Sequence, residues 1–127
     1  MHKNESELID LAPLRSLLGK EENVIEILNI VISQIPPSIV EIKSSLEKQD
    51  WEALRTKVHA IKSYYGYVGN DRLNQMLDDW DAALTRNQPG VDHQRIMAEL
   101  ETGSEVMLQR IQQILRKHLG INRKPRE

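Results

Sequence analysis

The chain contains no cysteine and no phenylalanine. The first absence excludes disulfides, thiolate nucleophiles and zinc–sulfur sites, and it fits a cytoplasmic setting. The second leaves core filling to Leu, Ile, Val and Met, helped by two Trp and three Tyr. An excess of one charge is also missing, since 17 Lys and Arg stand against 19 Asp and Glu for a net charge of −2. A nucleic-acid-binding domain is usually strongly basic, so that class is set aside. The opening Met1-His2-Lys3-Asn4-Glu5 lacks the apolar core of a signal peptide. The longest apolar stretch, Val24 to Ile35, is broken by Glu26, Asn29, Ser33 and Gln34, so no membrane span is expected. What remains is 127 residues with 39% apolar and 28% charged side chains, enough for one soluble domain with one core.

Five helical segments and no strand are expected. The first opens at Asp10-Leu11-Ala12-Pro13-Leu14, with Pro near the first helical position, and stops at Gly19. Leu11, Leu14, Leu17 and Leu18 supply its apolar side. The second starts near Glu21, where Glu21 and Glu22 suit the positive end of the helix dipole. Its apolar residues Val24, Leu28, Val31, Ile35, Ile39, Ile42 and Leu46 recur at threes and fours, the mark of one helical face. That phase runs unbroken across Pro36-Pro37, which predicts one long helix bent at the pair; two helices parting at Ile35 is the alternative. The third is capped by Asp50, carries Trp51, Leu54, Val58, Ile61, Tyr65 and Val68 inward, and closes at Gly69. The fourth begins at Asn70 or Asp71, with Leu73, Met76, Leu77, Trp80, Ala83 and Leu84 inward. After a loop at Arg86-Asn87-Gln88-Pro89-Gly90, the fifth runs from near Asp92 to about His118, with Ile96, Leu100, Met107, Ile111 and Ile114 inward. The pattern predicts an all-α, up-down-up-down four-helix bundle over residues 8–118 with a short N-terminal capping helix. A frayed polar tail is expected over 119–127.

The third segment carries the chemistry. At about 100° per residue, His59 points roughly 130° away from the centre of its own apolar stripe, into solvent. Ser63 and Gly66 follow at i+4 and i+7 on the same face. Lys62 at i+3 lies about 60° to the side, within reach of a group on His59. Unprotonated imidazole is nucleophilic near neutral pH. A phosphoryl group on it would add roughly two negative charges, which Lys62 can offset. Small neighbours let a large partner approach. The ring needs no local base or oxyanion hole if the partner brings the catalytic apparatus. Taken alone, an exposed helical histidine is ordinary surface, and His2, His93 and His118 are read that way.

His59, Lys62, Gly69 and Leu73 resemble the signature of the histidine-containing phosphotransfer (HPt) family, His-x-x-Lys-Gly followed by a second Gly and a Leu four residues on. Trp80-Asp81 occupies the place of the family's Leu-Glu pair. Asp10-Leu11-Ala12-Pro13-Leu14 with Leu17-Leu18-Gly19 is similar to the family's opening helix, and Asp50-Trp51-Glu52-Ala53-Leu54 to the segment before the histidine helix. Ser63 replaces the family's Gly, and Tyr64 and Tyr65 stand where small residues are usual. Tyr65 is in phase with the core, and Tyr64 flanks the site. The resemblance implies a free-standing phosphocarrier in a multistep two-component phosphorelay. His59 would accept a phosphoryl group from a receiver-domain aspartate and pass it to another receiver. One receiver would belong to a hybrid sensor kinase and the other to a response regulator, with the magnesium and catalytic carboxylates on those receivers. Lys62 would steady the phosphate. Arg55, Lys57 and Arg72 add positive charge facing an acidic receiver, and Arg55, Ser63, Tyr64, Gly66 and Arg72 would form the docking surface. A cytoplasmic monomer without cofactor, metal, nucleic-acid or membrane partner is expected.

Other features are weaker. Asp78, Asp79 and Asp81 read as a solvated acidic face, since a di-metal bundle needs Glu-x-x-His motifs that are missing. The basic run Arg116-Lys117-His118 with Arg123, Lys124 and Arg126 suits the negative end of a helix. No Gly-rich phosphate loop or nucleotide-binding region occurs, so a complete histidine kinase is not expected. The carrier role that the resemblance implies involves no turnover of a substrate by the chain alone, so no enzyme is expected. The rival reading is an HPt-shaped module that docks on a kinase or receiver and inhibits it without carrying phosphate. A bundle of purely structural role is a third reading, and a buried His59 ring would favour it.

Overall fold

The computed structural model describes residues 9–119. His2 lies outside the described residues, as does the expected tail beyond residue 119. Among the described residues there are five helices and no strand: α1 (Ala12–Leu18), α2 (Glu21–Glu47), α3 (Trp51–Tyr67), α4 (Asp71–Thr85) and α5 (His93–Leu119). The last four form the bundle, and α1 packs on α2 as a cap.

Local chemistry sets the helix ends. Asp50 accepts a hydrogen bond from the Ala53 amide at 3.2 Å and starts α3. Asn70 accepts from the Leu73 amide at 3.0 Å and starts α4. Asp92 accepts from the Arg95 amide at 3.2 Å at the head of α5. Each satisfies an amide that has no partner within its helix. Gly19 closes α1 with φ of 78°, and its N–H donates to the Arg15 carbonyl.

Helix α2 passes through Pro36 and Pro37 without a break, so the alternative of two helices is ruled out. An interior proline costs about 3 kcal/mol. Against that, Val31, Ile35, Ile42 and Leu46 are buried on either side of the pair, and each contributes about 1.5–3 kcal/mol. Both prolines lie on an exposed face, so their rings disturb no core packing. An 18-residue window of α2 reaches a mean hydropathy of 1.4, so the helix is long and apolar enough to cross a membrane. Its buried residues nevertheless follow one stripe that faces the bundle core.

The core is a single cluster that includes Leu28, Ile35, Leu54, Val58, Ile61, Leu77, Trp80, Leu100, Met107 and Ile111. Two inward assignments, Leu17 and Trp51, need correction. Leu17 is 79% exposed, because α1 is too short to bury more than Leu14 while Leu11 is covered just before it. Trp51 is 41% exposed and lies against the His93 ring rather than in the core. On α5, Leu100, Met107 and Ile111 are buried as expected and are joined by Met97 and Leu115, while Ile96 and Ile114 are half-buried and pack against the core. The gap in the apolar stripe of α5 also has a cause. Gly103 and Ser104 make room there, since a Cβ on Gly103 would stand 3.1 Å from the Leu73 methyls. Ser104 Oγ lies 2.6 Å from the hydroxyl of Tyr65, whose ring is fully buried. Burial pushes the Tyr65 phenol up, so it stays protonated.

Candidate functional site

Helices α3 and α4 run antiparallel in a register that sets His59 against Asp81 and Lys62 against Asp78. One helical turn further on, Gly66 faces Asn74. The register is held at the turn between the two helices. There, Tyr65 of α3, Val68 just after it, and Leu73 and Leu77 of α4 are buried together in the core. Gly69 links the helices with φ of 71°, and a Cβ there would collide with the Asp10 backbone. The Asp10 amide in turn donates to the Val68 carbonyl at 2.8 Å. The second glycine of the motif is therefore a seat for the N-terminal segment, required by backbone geometry and close approach.

His59 points outward with its side chain 67% exposed, as its angle from the apolar stripe predicts. This exposure removes the support for a purely structural bundle. The ring is nonetheless fixed, with Nδ1 lying 2.7 Å from Asp81 Oδ2. The same oxygen accepts a hydrogen bond from Lys62 Nζ at 2.9 Å, and Lys62 also donates to Asp78 Oδ1 at 2.8 Å. The Asp81 side chain is only 12% exposed. Reading Asp81 as part of a solvated acidic face is thus corrected, because it lies at the base of the site under the histidine and the lysine. A signal for it exists in the sequence. Asp81 lies four residues after Leu77 and three before Leu84, in phase with the buried stripe of α4, where an unpaired carboxylate would not be tolerated.

Burial alone would push the Asp81 carboxyl up. Hydrogen bonds from His59 and Lys62, with the Lys62 charge, outweigh it and hold the carboxyl below its usual range. Lys62 is raised first by its hydrogen bond to Asp78, then by that to Asp81. The site is therefore a carboxylate–ammonium–imidazole network in which Asp81 is ionised. An ionised carboxylate can only accept, so Nδ1 carries the proton and Nε2 holds the lone pair of the neutral ring. Nε2 makes no hydrogen bond among the described residues.

The other sequence-derived residues fall around this network. Ser63 and Gly66 are exposed on the His59 side of α3, and Arg55 lies one turn before His59, half-buried. Tyr64 is half-buried and meets the exposed Tyr67 ring edge-on at 6.3 Å. Arg72 is not brought to His59. It sits in the first turn of α4, opposite the far end of α3, roughly 13 Å along the bundle. Among the described residues no group of three or more His, Cys, Asp or Glu side chains is placed to hold a metal.

His93 is not ordinary surface. Its Nδ1 accepts from the Trp80 indole N–H at 3.0 Å, and its ring packs on Trp51 at 5.0 Å. The sequence gives no local sign of this, because its partners come from two other helices.

Comparison with known proteins agrees with this geometry. The family model described as the Hpt domain matches residues 26–117, well over half of the chain. No curated protein matches. Among solved structures, the chain is similar to the HPT domain of the Hpt sensor hybrid histidine kinase from Shewanella. Identity is 17% and the TM-score 0.78, over 87% of this chain and 96% of that one. At that identity the structural match speaks for the fold, and the family match for descent. The chain belongs to the histidine-containing phosphotransfer family as a single Hpt domain, a phosphorelay carrier that moves phosphoryl groups between receiver domains rather than an enzyme.

Proposed function

We propose that His59 is the phosphoryl acceptor of this carrier and that Nε2 is the attacking atom. The observation that carries this reading is the 2.7 Å contact of Nδ1 with Asp81 on a ring that is 67% exposed. The lone pair of Nε2 attacks the phosphorus of a receiver's aspartyl phosphate. The N–P bond forms as the P–O bond breaks, and the electron pair returns to the receiver's carboxylate. Nδ1 keeps its proton throughout. The phosphorylated ring therefore carries positive character, and Asp81 lies against it to balance that charge. Transfer to a second receiver reverses the same steps. Lys62, one turn along the helix, provides a cation for the phosphoryl oxygens.

The donor would be the receiver of a hybrid sensor kinase and the acceptor that of a response regulator, both meeting a cytoplasmic monomer. Ser63, Gly66 and the Tyr64 edge would form the centre of the docking surface, with Arg55 and Arg72 at its rim. Gly66 supports this assignment. A Cβ there would meet only Asn74 Nδ2 at an ordinary 3.7 Å, so nothing inside the chain requires a glycine. The need for a small residue then lies outside the chain, with a partner.

Incubation with a phosphorylated receiver is expected to label the wild type in an acid-labile, base-stable form, with no labelling of His59→Gln. Full labelling of that variant would refute the assignment. The Tyr64–Tyr67 pair, one to two turns along α3 from His59, favours a second reading, an inhibitory docking module. Unlabelled wild type, with binding unchanged in His59→Gln, would support it.

A further inference from the structure

We propose that Asp78 is a positioning residue that tethers Lys62 away from the phosphoryl group and so limits how long His59 keeps it. This rests on the reading of His59 as acceptor. An ammonium has three N–H donors. In Lys62 two are committed, to Asp78 Oδ1 at 2.8 Å and to Asp81 Oδ2 at 2.9 Å. The two carboxylates are not equivalent. Asp81 is 12% exposed and also holds His59, so releasing it would leave a buried charge with one partner fewer. Asp78 is 61% exposed, and Lys62 is its one hydrogen-bond partner among the described residues. Water can replace that partner at little cost. Asp78 is therefore the contact that yields.

Phosphorylation sets up the competition. About two negative charges arrive on Nε2, one turn along α3 from Lys62. Lys62 Nζ and His59 Nδ1 already share one oxygen of Asp81, so they lie within two hydrogen-bond lengths of each other. With Asp78 in place, the lysine divides its donors between tether and phosphate. Without it, two donors are free for the phosphoryl oxygens. A carrier that passes its cargo on is served by the first arrangement, because a weakly held phosphoryl group keeps its transfer potential. Direct repulsion between Asp78 and the phosphate is the competing cause. It is screened by solvent at an exposed carboxylate, and it would act whether or not Lys62 is present.

The test loads the protein with phosphoramidate, a small-molecule donor, and follows the decay of phosphohistidine and its equilibrium with a receiver. In Asp78→Asn, both half-life and equilibrium occupancy are expected to rise about threefold, the scale of one partly exposed charge pair. In a Lys62→Met background, Asp78→Asn is expected to change neither. An unchanged half-life in Asp78→Asn would overturn the proposal, as would an equal gain with and without Lys62. Failure of His59 to load would overturn the acceptor assignment as well, which separates the two outcomes. Circular dichroism checks that each variant is folded.

Discussion

His59 and His93 are both helical histidines with a bonded Nδ1, and they differ in the direction of that bond. At His59 the partner is the Asp81 carboxylate, which only accepts, so the ring donates through Nδ1 and keeps its lone pair on Nε2. At His93 the partner is the Trp80 indole N–H, which only donates, so the lone pair on Nδ1 is consumed and Nε2 carries the proton. Exposure follows the same division. His59 stands beside Ser63 and Gly66 in the middle of α3, whereas His93 is packed against Trp51 at the head of α5. On the proposed reading, His59 is marked by both together, an exposed ring and a carboxylate that holds its other nitrogen.

Removing the acceptor under His59 is the strongest way to break the contrast. Asp81→Ala frees the ring to rotate, to change tautomer and to lose the charge that balances its phosphorylated form. A charge-assisted hydrogen bond of about 1.5–3 kcal/mol corresponds to transfer roughly ten- to a hundredfold slower. Rapid-quench transfer from a phosphorylated receiver measures this, and an unchanged rate would show that Asp81 only supports the fold.

Access is the second half of the contrast. Gly66→Ala is expected to raise stability by about 0.5–1 kcal/mol, since alanine is the better helix former and the added methyl meets only Asn74 at ordinary distance. Transfer should slow severalfold at the same time. Urea melts and transfer rates measured together check the pair. A more stable protein with unchanged transfer would move the docking surface away from Gly66.

The smallest effect belongs to His93. Burial pushes its imidazole below the ordinary range, against the opposing pull of Asp92. The unfolded chain then takes up that proton first as the pH falls. The contribution to stability is whole above the ordinary imidazole range and is lost as the pH falls through the lower, folded value. Denaturation at neutral and mildly acidic pH should show this slope in the wild type and lose it in His93→Gln. An identical slope in both would place the pH dependence elsewhere.

Much of this molecule is legible in its sequence. Asp50, Asn70 and Gly19 mark helix ends, because caps act through nearest neighbours. The unbroken phase of α2 outweighs Pro36-Pro37, because burial sums over many residues while a proline acts once. The exposure of His59 follows from its angle alone. What is hidden depends on which residue faces which across two helices. Asp81 sits in the inward phase of α4, yet its partners lie on α3, and only the register seated by Gly69 and Asp10 brings them together. His93 is the same case, with Trp51 and Trp80 arriving from α3 and α4. Periodicity gives the face of a helix but not its neighbour.

On the proposed reading, Asp81 designates Nε2 of His59 as the atom that carries the phosphoryl group. The direct measurement is nitrogen-15 NMR of histidine-labelled protein after phosphorylation, in which phosphorus–nitrogen couplings identify the substituted ring nitrogen. Phosphorus is expected on Nε2 of His59, with Nδ1 still protonated. Phosphorus on Nδ1, or on any other histidine, would contradict it.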